Sequence, residues 1–304
     1  MVGALSSCGA SNASFNFELD FNKGYNKNLW YKNDLDQNCA DPSIIYNDDD
    51  GYYYMYMTSD ELGCTGFNVY RSKQLNYWEQ LAPAFIPDPH SWGVSSLWAP
   101  NIIKIDNLYY LYYSAYNRTA KQKGMSVAVA SHPAGPFHEY EGLDANGKYL
   151  TRSDQIFHWG FPAIDAAPFQ DDNGDLYLYF AKDQVDRVSY CYGVKMLDPV
   201  TPDMSTLKCL TVPGKITPEH DGYDITWELQ SSGGRWNEAP SMNKIGDTYY
   251  LSYSANYFEH TSYGVGYAMS DSPLGDFEKP FTSPTSNMLL GVDQEEQKTV
   301  WDLM

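Results

Sequence analysis

One pattern occurs four times along the 304-residue chain and constrains its fold more than any other feature. Each copy has a proline, an apolar stretch, an acidic or glycine-bearing turn, and then a tyrosine-rich stretch. The turns fall at positions 51, 107, 174 and 247, which are 56, 67 and 73 residues apart. Asp, Asn and Gly between two apolar runs tolerate the positive φ of tight turns, so each copy is predicted to be a β-hairpin.

A third strand is predicted after each hairpin, and a short outer strand would complete about four strands per copy. The third strands are expected at residues 66–71, 126–131, 192–197 and 263–270. Four strands repeating at such intervals are typical of the blades of a β-propeller. The 27 Tyr residues and the aromatic content of 16% also favour strands. No helical period recurs, which argues against a helical solenoid.

The four copies span about residues 40–280, and the chain ends about where the inner strand of a fifth blade would begin. Residues 15–31 contain strand-like stretches that could complete part of that blade. We therefore expect an all-β, five-bladed β-propeller whose fifth blade is truncated or incomplete. It would form a single catalytic domain over residues 15–304. Residues 1–14 would be a disordered tail or the remnant of a signal sequence.

Charge and hydropathy exclude several classes of partner. The net charge is −19 and no Lys/Arg-rich run stands out, so nucleic acid and anionic membrane surfaces are poor partners. No window approaches 18 consecutive apolar residues, so no membrane-spanning helix is expected. The segment ending at Cys8 resembles the end of a bacterial lipoprotein signal. Carbohydrate, neutral polymers and cations are not excluded as partners. We expect a secreted, periplasmic or cell-surface bacterial protein.

Five cysteines cannot all pair. Cys39 with Cys64 and Cys191 with Cys209 would each close a modest loop and leave Cys8 over, whereas buried reduced thiols are the alternative. The acidic runs at residues 48–50 and 171–172 resemble calcium loops, but they occur at hairpin turns and are interpreted as solvated turns.

Acidic residues precede three of the four prolines. Asp41 lies one residue before its proline, Glu238 two before and Asp165 three before, and Trp98 lies two before the remaining one. The first strand of each propeller blade lines the central channel, so equivalent strand ends converge on one mouth. Glycoside hydrolysis needs one carboxylate as base and a carboxylic acid as proton donor, and a third carboxylate can raise the pKa of that acid. The alternative is that these residues are turn or cap groups that begin strands.

Three further side chains are candidates for substrate binding. The indole of Trp98 could stack on the apolar face of a sugar. Trp92 could form a second platform or anchor a packed loop. Arg187 could donate to a substrate hydroxyl or replace a cation, or it could be a solvated surface residue.

Five segments, in this order and spacing, resemble glycoside hydrolase family 43: residues 40–45, 98–100, 164–169, 237–241 and 263–275. The resemblance implies a five-bladed propeller that inverts configuration at the anomeric carbon of arabinan, xylan or their oligosaccharides. It also implies that Asp41 is the general base, that Glu238 is the general acid, and that Asp165 tunes and orients the acid.

The expected function is therefore that of an α-1,5-L-arabinanase or α-L-arabinofuranosidase. The alternatives are a β-xylosidase of the same family and a non-catalytic carbohydrate-binding propeller. A third alternative is a β-fructosidase-like propeller, which would retain configuration.

The sequence departs from the family pattern in the fifth blade. Family members usually carry a Gly-His-x-Ser segment there, whose His helps to hold a central calcium ion or a water cluster. None of the six His residues lies after residue 260. We expect no metal or other cofactor, with Arg187 or water filling that space. Strand edges left open by an incomplete blade favour pairing with another chain, so a homo-oligomer is expected.

Overall fold

Four antiparallel sheets, one for each sequence repeat, form the blades of a propeller in the computed structural model, which describes residues 35, 39–59, 63–185, 187–231 and 233–291. The first blade contains β1 (Cys39–Asn47), β2 (Tyr52–Ser59), β3 (Val69–Ser72) and β4 (Glu79–Gln80). The second blade contains β5 (Trp98–Ile105), β6 (Leu108–Asn117), β7 (Gln122–Ala130) and β8 (His138–Glu139). A two-stranded ribbon of β9 (Gly142–Leu143) and β10 (Tyr149–Leu150) follows it.

The remaining two blades are built in the same way. The third blade contains β11 (Ala163–Gln170), β12 (Leu176–Val185), β13 (Val188–Asp198), β14 (Thr201–Pro202) and β15 (Lys208–Thr211). The fourth blade contains β16 (Asn237–Ile245), β17 (Thr248–Ala255), β18 (Gly264–Ser270) and β19 (Met288–Leu290). Short 3-10 helices occur at Met204–Thr206 and Thr226–Leu229.

The prediction of an all-β propeller with four repeated blades is confirmed, and each predicted third strand is present. The fifth blade is not confirmed, because the segments expected to build it, residues 15–31 and the end of the chain, lie outside the described residues. Across the described ranges, no helix is long and apolar enough to cross a membrane.

One buried tyrosine on the second strand of each of the first three blades forms a hydrogen bond to the next blade. The hydroxyl of Tyr56 in the first blade donates to the carbonyl of Pro133 in the second. Tyr112 reaches the Pro199 carbonyl of the third blade in the same way, with an O···O distance of 2.6 Å.

The third blade repeats this bond to the fourth, since Tyr179 donates to the Pro273 carbonyl at 2.8 Å. The three tyrosine side chains are fully buried, so each hydroxyl needs such an acceptor. The fourth blade has Ser252 at the equivalent register, opposite the second residue after the bulge in its first strand.

A β-bulge interrupts each first strand near the channel mouth. The register with the second strand shifts after Ala40, Trp98, Ile164 and Glu238. The following residue has positive φ in every blade: Asp41 (54°), Ala99 (46°), Asp165 (61°) and Ala239 (49°). Structural equivalence therefore follows the bulge. Proline does not mark it in the third blade, where Pro168 lies two residues beyond the common position.

The bulge N–H groups are capped by the preceding blade. The N–H of Ala99 donates to the Thr58 hydroxyl at 2.8 Å, and that of Asp165 donates to the Ser114 hydroxyl at 2.9 Å. Thr58 and Ser114 occupy equivalent places on their second strands, opposite the residue before the bulge. The third blade has Ala181 at this place and offers no hydroxyl.

Two expectations about polar side chains are settled outside the site. The described cysteines, Cys39, Cys64, Cys191 and Cys209, form no disulfide with one another, which agrees with reduced thiols, but only Cys191 is buried. Cys8 lies outside the described residues. The interpretation of residues 171–172 as a solvated turn is wrong for Asp171. This side chain is buried because it accepts hydrogen bonds from Lys244 and Tyr249 of the fourth blade, at 2.8 and 2.6 Å.

Candidate active site

The structure brings the three sequence-predicted carboxylates, Asp41, Asp165 and Glu238, to one end of the channel, and we call them the carboxylate cluster. Each begins a first strand next to its bulge. A carboxylate oxygen of Asp165 accepts a hydrogen bond from the N–H of Ala239 at 2.9 Å, which places it beside Glu238 in the next blade. The charges of Asp165 and Asp41 both act on Glu238, so the three groups titrate as a coupled set.

Glu238 has the environment of a proton donor at neutral pH. Burial, followed by the charge of Asp165, raises the pKa of this carboxyl to about 8. The hydroxyl of Tyr263 donates to its Oε1 at 3.1 Å and opposes that rise. A carboxyl that remains protonated near pH 7 can act as a general acid.

Asp165 has two kinds of contact. Burial and the charge of Asp41 raise its pKa to about 7, while the hydrogen bond from the Ala239 N–H lowers it. Since Ala181 leaves the third blade without a capping hydroxyl, the Asp165 carboxylate takes that place and caps the bulge of the fourth blade.

Asp41 lies at the open side of the cluster. Its residue surface is exposed, while protein atoms crowd the inner side of the carboxyl; this desolvation raises its pKa. The Thr58 hydroxyl donates to its Oδ2 at 2.7 Å and lowers the pKa. An ionised carboxylate with an open face can accept a proton from water.

Sequence reasoning missed a cation in the same place. The Nζ of Lys123, at the start of β7, lies 3.0 Å from the centroid of the Trp98 ring. This Nζ is buried and has no hydrogen-bond acceptor. Burial lowers the pKa of Lys123 to about 8, and the charges of Asp183 and Asp165 oppose that change.

Asp183, near the end of β12, is a fourth carboxyl beside the cluster. Burial raises its pKa, and the charge of Lys123 opposes the rise. Its charge also contributes to the raised pKa values of Asp165 and Glu238. Lys123 and Asp183 lie at strand ends that carry no repeated motif. For each of them, the only signal in the sequence is a charged residue at the strand end near the channel mouth.

The three predicted substrate-binding residues have different surroundings. Trp98 is half-buried, and Lys123 covers one face of its ring. Trp92 is 7% exposed and stacks on Tyr113 with the ring centroids 6.0 Å apart, a placement that favours the packed anchor. Arg187 is exposed in the turn between β12 and β13. The cation that acts on Asp165 and Asp183 is Lys123, and the binding roles of the other three side chains stay predictions.

A buried ionic network supports the strand that carries Glu238. The Nζ of Lys279 lies 2.5 Å from Glu228 and 3.1 Å from Oδ1 of Asn237, the residue before Glu238. Both charged side chains are almost fully buried. Because the partners satisfy one another, the network holds the start of β16 in one position.

No group of three or more His, Cys, Asp or Glu side chains is arranged as a metal site within the described ranges. Activity without a metal ion stays a prediction.

Comparisons with known proteins agree with this geometry. Residues 34–300 match the sequence profile of Glycosyl hydrolases family 43. The chain is 28% identical over 267 residues to the Beta-D-galactofuranosidase xynD of Aspergillus niger, covering 84% of this chain and 66% of that protein. It is 27% identical over 212 residues to the Extracellular exo-alpha-(1->5)-L-arabinofuranosidase ArbA of Cellvibrio japonicus, covering 66% of this chain and 54% of that protein.

Solved structures give the same result. A thermostable family-43 glycoside hydrolase superimposes with a TM-score of 0.70 at 26% identity, covering 87% of this chain and 77% of that one. An Endo-1,4-beta-xylanase from Bacteroides thetaiotaomicron has a TM-score of 0.63 at 30% identity, covering 82% and 74%. The chain spans about half to two thirds of the length of the first curated relatives that it matches. With the family profile matched over most of its length, the chain belongs to glycosyl hydrolase family 43.

Proposed function

We propose that this protein is an inverting glycoside hydrolase that acts on arabinan or arabino-oligosaccharides. The observation that carries the proposal is the carboxylate cluster, in which a carboxyl with a pKa of about 8, Glu238, lies with Asp165 and Asp41 at one channel mouth. An acid and a base on opposite sides of a glycosidic bond are what single displacement needs.

The reaction follows from the placement of these groups. Asp41 removes a proton from a water molecule while the water oxygen forms a bond to the anomeric carbon. The bond from that carbon to the leaving oxygen breaks, and Glu238 gives its proton to that oxygen. Asp165, kept beside Glu238 by the Ala239 N–H, keeps the acid protonated until the transition state.

The choice of arabinan is supported by relatives. Besides the exo-arabinofuranosidase of Cellvibrio japonicus, the chain is 25% identical to the Arabinan endo-1,5-alpha-L-arabinosidase A of Aspergillus niger. The second candidate is a β-xylosidase, because the chain is 27% identical to the Beta-xylosidase of Xylanibacter ruminicola. Two arabinan-active relatives are named extracellular, which supports the proposal that this protein is secreted or held at the cell surface.

A panel of substrates tests the proposal. Nitrophenyl α-L-arabinofuranoside, β-D-xyloside and β-D-galactofuranoside are compared with linear arabinan, and products are sized by chromatography. Proton NMR during the first turnovers should show the inverted anomer. Release of xylose but not arabinose would favour the second candidate, and a retained anomer would overturn the single-displacement mechanism.

The role of Glu238 has its own test. The Glu238→Gln variant should lose about 10³-fold or more in kcat/KM on arabinan and much less on an activated aryl arabinoside, because only the poor leaving group needs a proton. Glu79→Gln, an exposed acid on the outer strand of the first blade, is the matched control and should keep the wild-type activity. Equal losses on the two substrates would contradict the acid role.

A further inference from the structure

The hydroxyl of Thr58 connects the carboxylate cluster to the scaffold. It accepts the N–H of Ala99 at 2.8 Å and lies 2.7 Å from Oδ2 of Asp41. A hydroxyl has one proton to donate, and a backbone N–H can only donate to it. The Thr58 proton is therefore directed to the Asp41 carboxylate, and its lone pair is used by the second blade.

The internal repeat shows that the equivalent residues of the second and third blades do not make this double contact. Ser114, the equivalent residue of the second blade, also accepts a bulge N–H, that of Asp165. Its own blade has Ala99 at the bulge, so Ser114 has no carboxylate there to bind. Ala181 has no hydroxyl at all. Thr58 is thus the capping residue that also contacts a catalytic carboxyl.

We propose that Thr58 is a positioning residue for Asp41, and that it aims the base by fixing one carboxylate oxygen to the first bulge of the neighbouring blade. The inference rests on the proposed function of Asp41. With Oδ2 held by Thr58, Oδ1 is the oxygen left to accept a proton from water. Asp41 has a positive φ, a backbone conformation that residues other than glycine rarely adopt. The contact with Thr58 therefore helps to hold Asp41 in this conformation and its side chain in one direction.

The test compares Thr58→Val, which keeps the side-chain shape without the hydroxyl, with Thr58→Ser, which keeps the hydroxyl. Thr58→Val should lower kcat by about 10-fold with little change in KM, because a misaligned base affects the chemical step and not ground-state binding. The acidic limb of its kcat/KM profile should move up by about half to one pH unit, since the ionised carboxylate loses a donor. Thr58→Ser should restore both.

Ser252→Ala is the matched control, because it removes a second-strand hydroxyl of the fourth blade that bonds to the Ser241 carbonyl and not to the carboxylate cluster. It should leave the acidic limb where it is in the wild type. An acidic limb of Thr58→Val that coincides with that of Thr58→Ser would overturn the proposal.

A second measurement does not depend on activity. In a double-mutant cycle of Thr58→Val and Asp41→Ala, followed by thermal unfolding at pH 8, the two losses should be less than additive. Additive losses would overturn the contact. A wild-type protein without glycosidase activity on any substrate, combined with a coupled cycle, would instead overturn the assignment of Asp41 as base.

Discussion

Lys123 is a buried cation in a position that does not favour a charged group. Its Nζ is buried without an acceptor, and burial lowers its pKa to about 8. A buried ammonium group lowers the stability of the folded protein unless its attraction to nearby carboxylates offsets the cost of desolvation. Lys123 lies over Trp98 and close to Asp165 and Asp183. This position indicates that its charge serves the site and does not stabilise the fold.

Replacing this residue should therefore stabilise the protein. Lys123 has a folded-state pKa of about 8, below its unfolded value of about 10.4, so its cost is fully present below pH 8 and disappears as the pH rises to 10.4. Lys123→Met should melt at a higher temperature than the wild type at pH 7, and this gap should narrow between pH 8 and 10. Circular dichroism melts over that range measure it, with Lys182→Met as control. A gap independent of pH would contradict the argument.

The charge of Asp165 should be visible in the pH profile. Asp165→Asn removes a negative neighbour that raises the pKa of Glu238, so Glu238 should ionise at lower pH. The alkaline limb of the kcat/KM profile should consequently move to lower pH, together with a fall in activity. A pH series on linear arabinan, whose poor leaving group needs the proton of Glu238, checks this. If the limb stays in place while activity falls, Asp165 acts by positioning alone.

Sequence reasoning found the three carboxylates because each stands close before a proline that marks a repeat. It could not find Lys123, Asp183 or Tyr263, because these belong to the far ends of other strands and meet the cluster only after the blades pack. The sequence offers Arg187, which follows a hairpin, or water for the space of a cation, with a solvated surface Arg as the alternative. Side-chain burial distinguishes Lys123 from Arg187, and no local sequence pattern predicts that burial.

At the scale of elements, hairpins could be predicted and bulges could not. The turns carry Asp, Asn and Gly, whose backbone preferences are local. The bulge is fixed by a cap from another blade, as with the Ser114 hydroxyl and the N–H of Asp165, and that contact spans 51 residues. Proline therefore marks the bulge closely in three blades but not in the third, although Asp165 still lies shortly before Pro168.

The tyrosine bonds between blades should contribute measurably to stability. Tyr112→Phe removes the donor to the half-buried Pro199 carbonyl, and the loss of this hydrogen bond costs about 1 kcal/mol. For a protein of this size the melting temperature should fall by roughly 2 °C. Tyr110→Phe, on the same strand but half-buried, is the control and should change it little. Equal effects of the two substitutions would mean that the hydroxyl of Tyr112 contributes nothing specific.

Across the described blades, a tyrosine of each of the first three blades bonds to the next blade along the chain. The fourth blade differs. Its equivalent of Tyr56, Tyr112 and Tyr179 is Ser252, which is half-buried and bonds within its own sheet, to the carbonyl of Ser241. Apolar side chains on the first and fourth blades, including Ile44 and Ile245, are exposed in the structure. The fourth blade therefore makes no tyrosine bond at this register on the side where a fifth blade would follow.

We predict that the protein associates with itself through this side. Exposed apolar surface and open strand edges favour pairing with a second copy. Light scattering at assay concentration should give a multiple of the 34.5 kDa chain mass. A mass of one chain at every concentration would contradict the prediction.

We also predict that catalysis does not depend on a metal ion. The described residues contain no cluster of ligands, and Lys123 supplies a positive charge close to Asp165. Activity on an aryl arabinoside should be unchanged after dialysis against excess EDTA. Loss of activity that added calcium restores would be the contrary result.

The missing hydroxyl at Ala181 bears on how such an enzyme could decay into a binding protein. Under the proposed mechanism, mutation of Glu238 would end catalysis and leave the caps of the second, third and fourth bulges in place. Mutation of Asp165 would end it too, but would also strip the Ala239 N–H of its acceptor and loosen the fourth blade. Descendants that keep only sugar binding should therefore retain this aspartate long after the acid is lost. An engineered lectin on this scaffold should be inactivated at Glu238, or at Asp165 only together with Ala181→Ser.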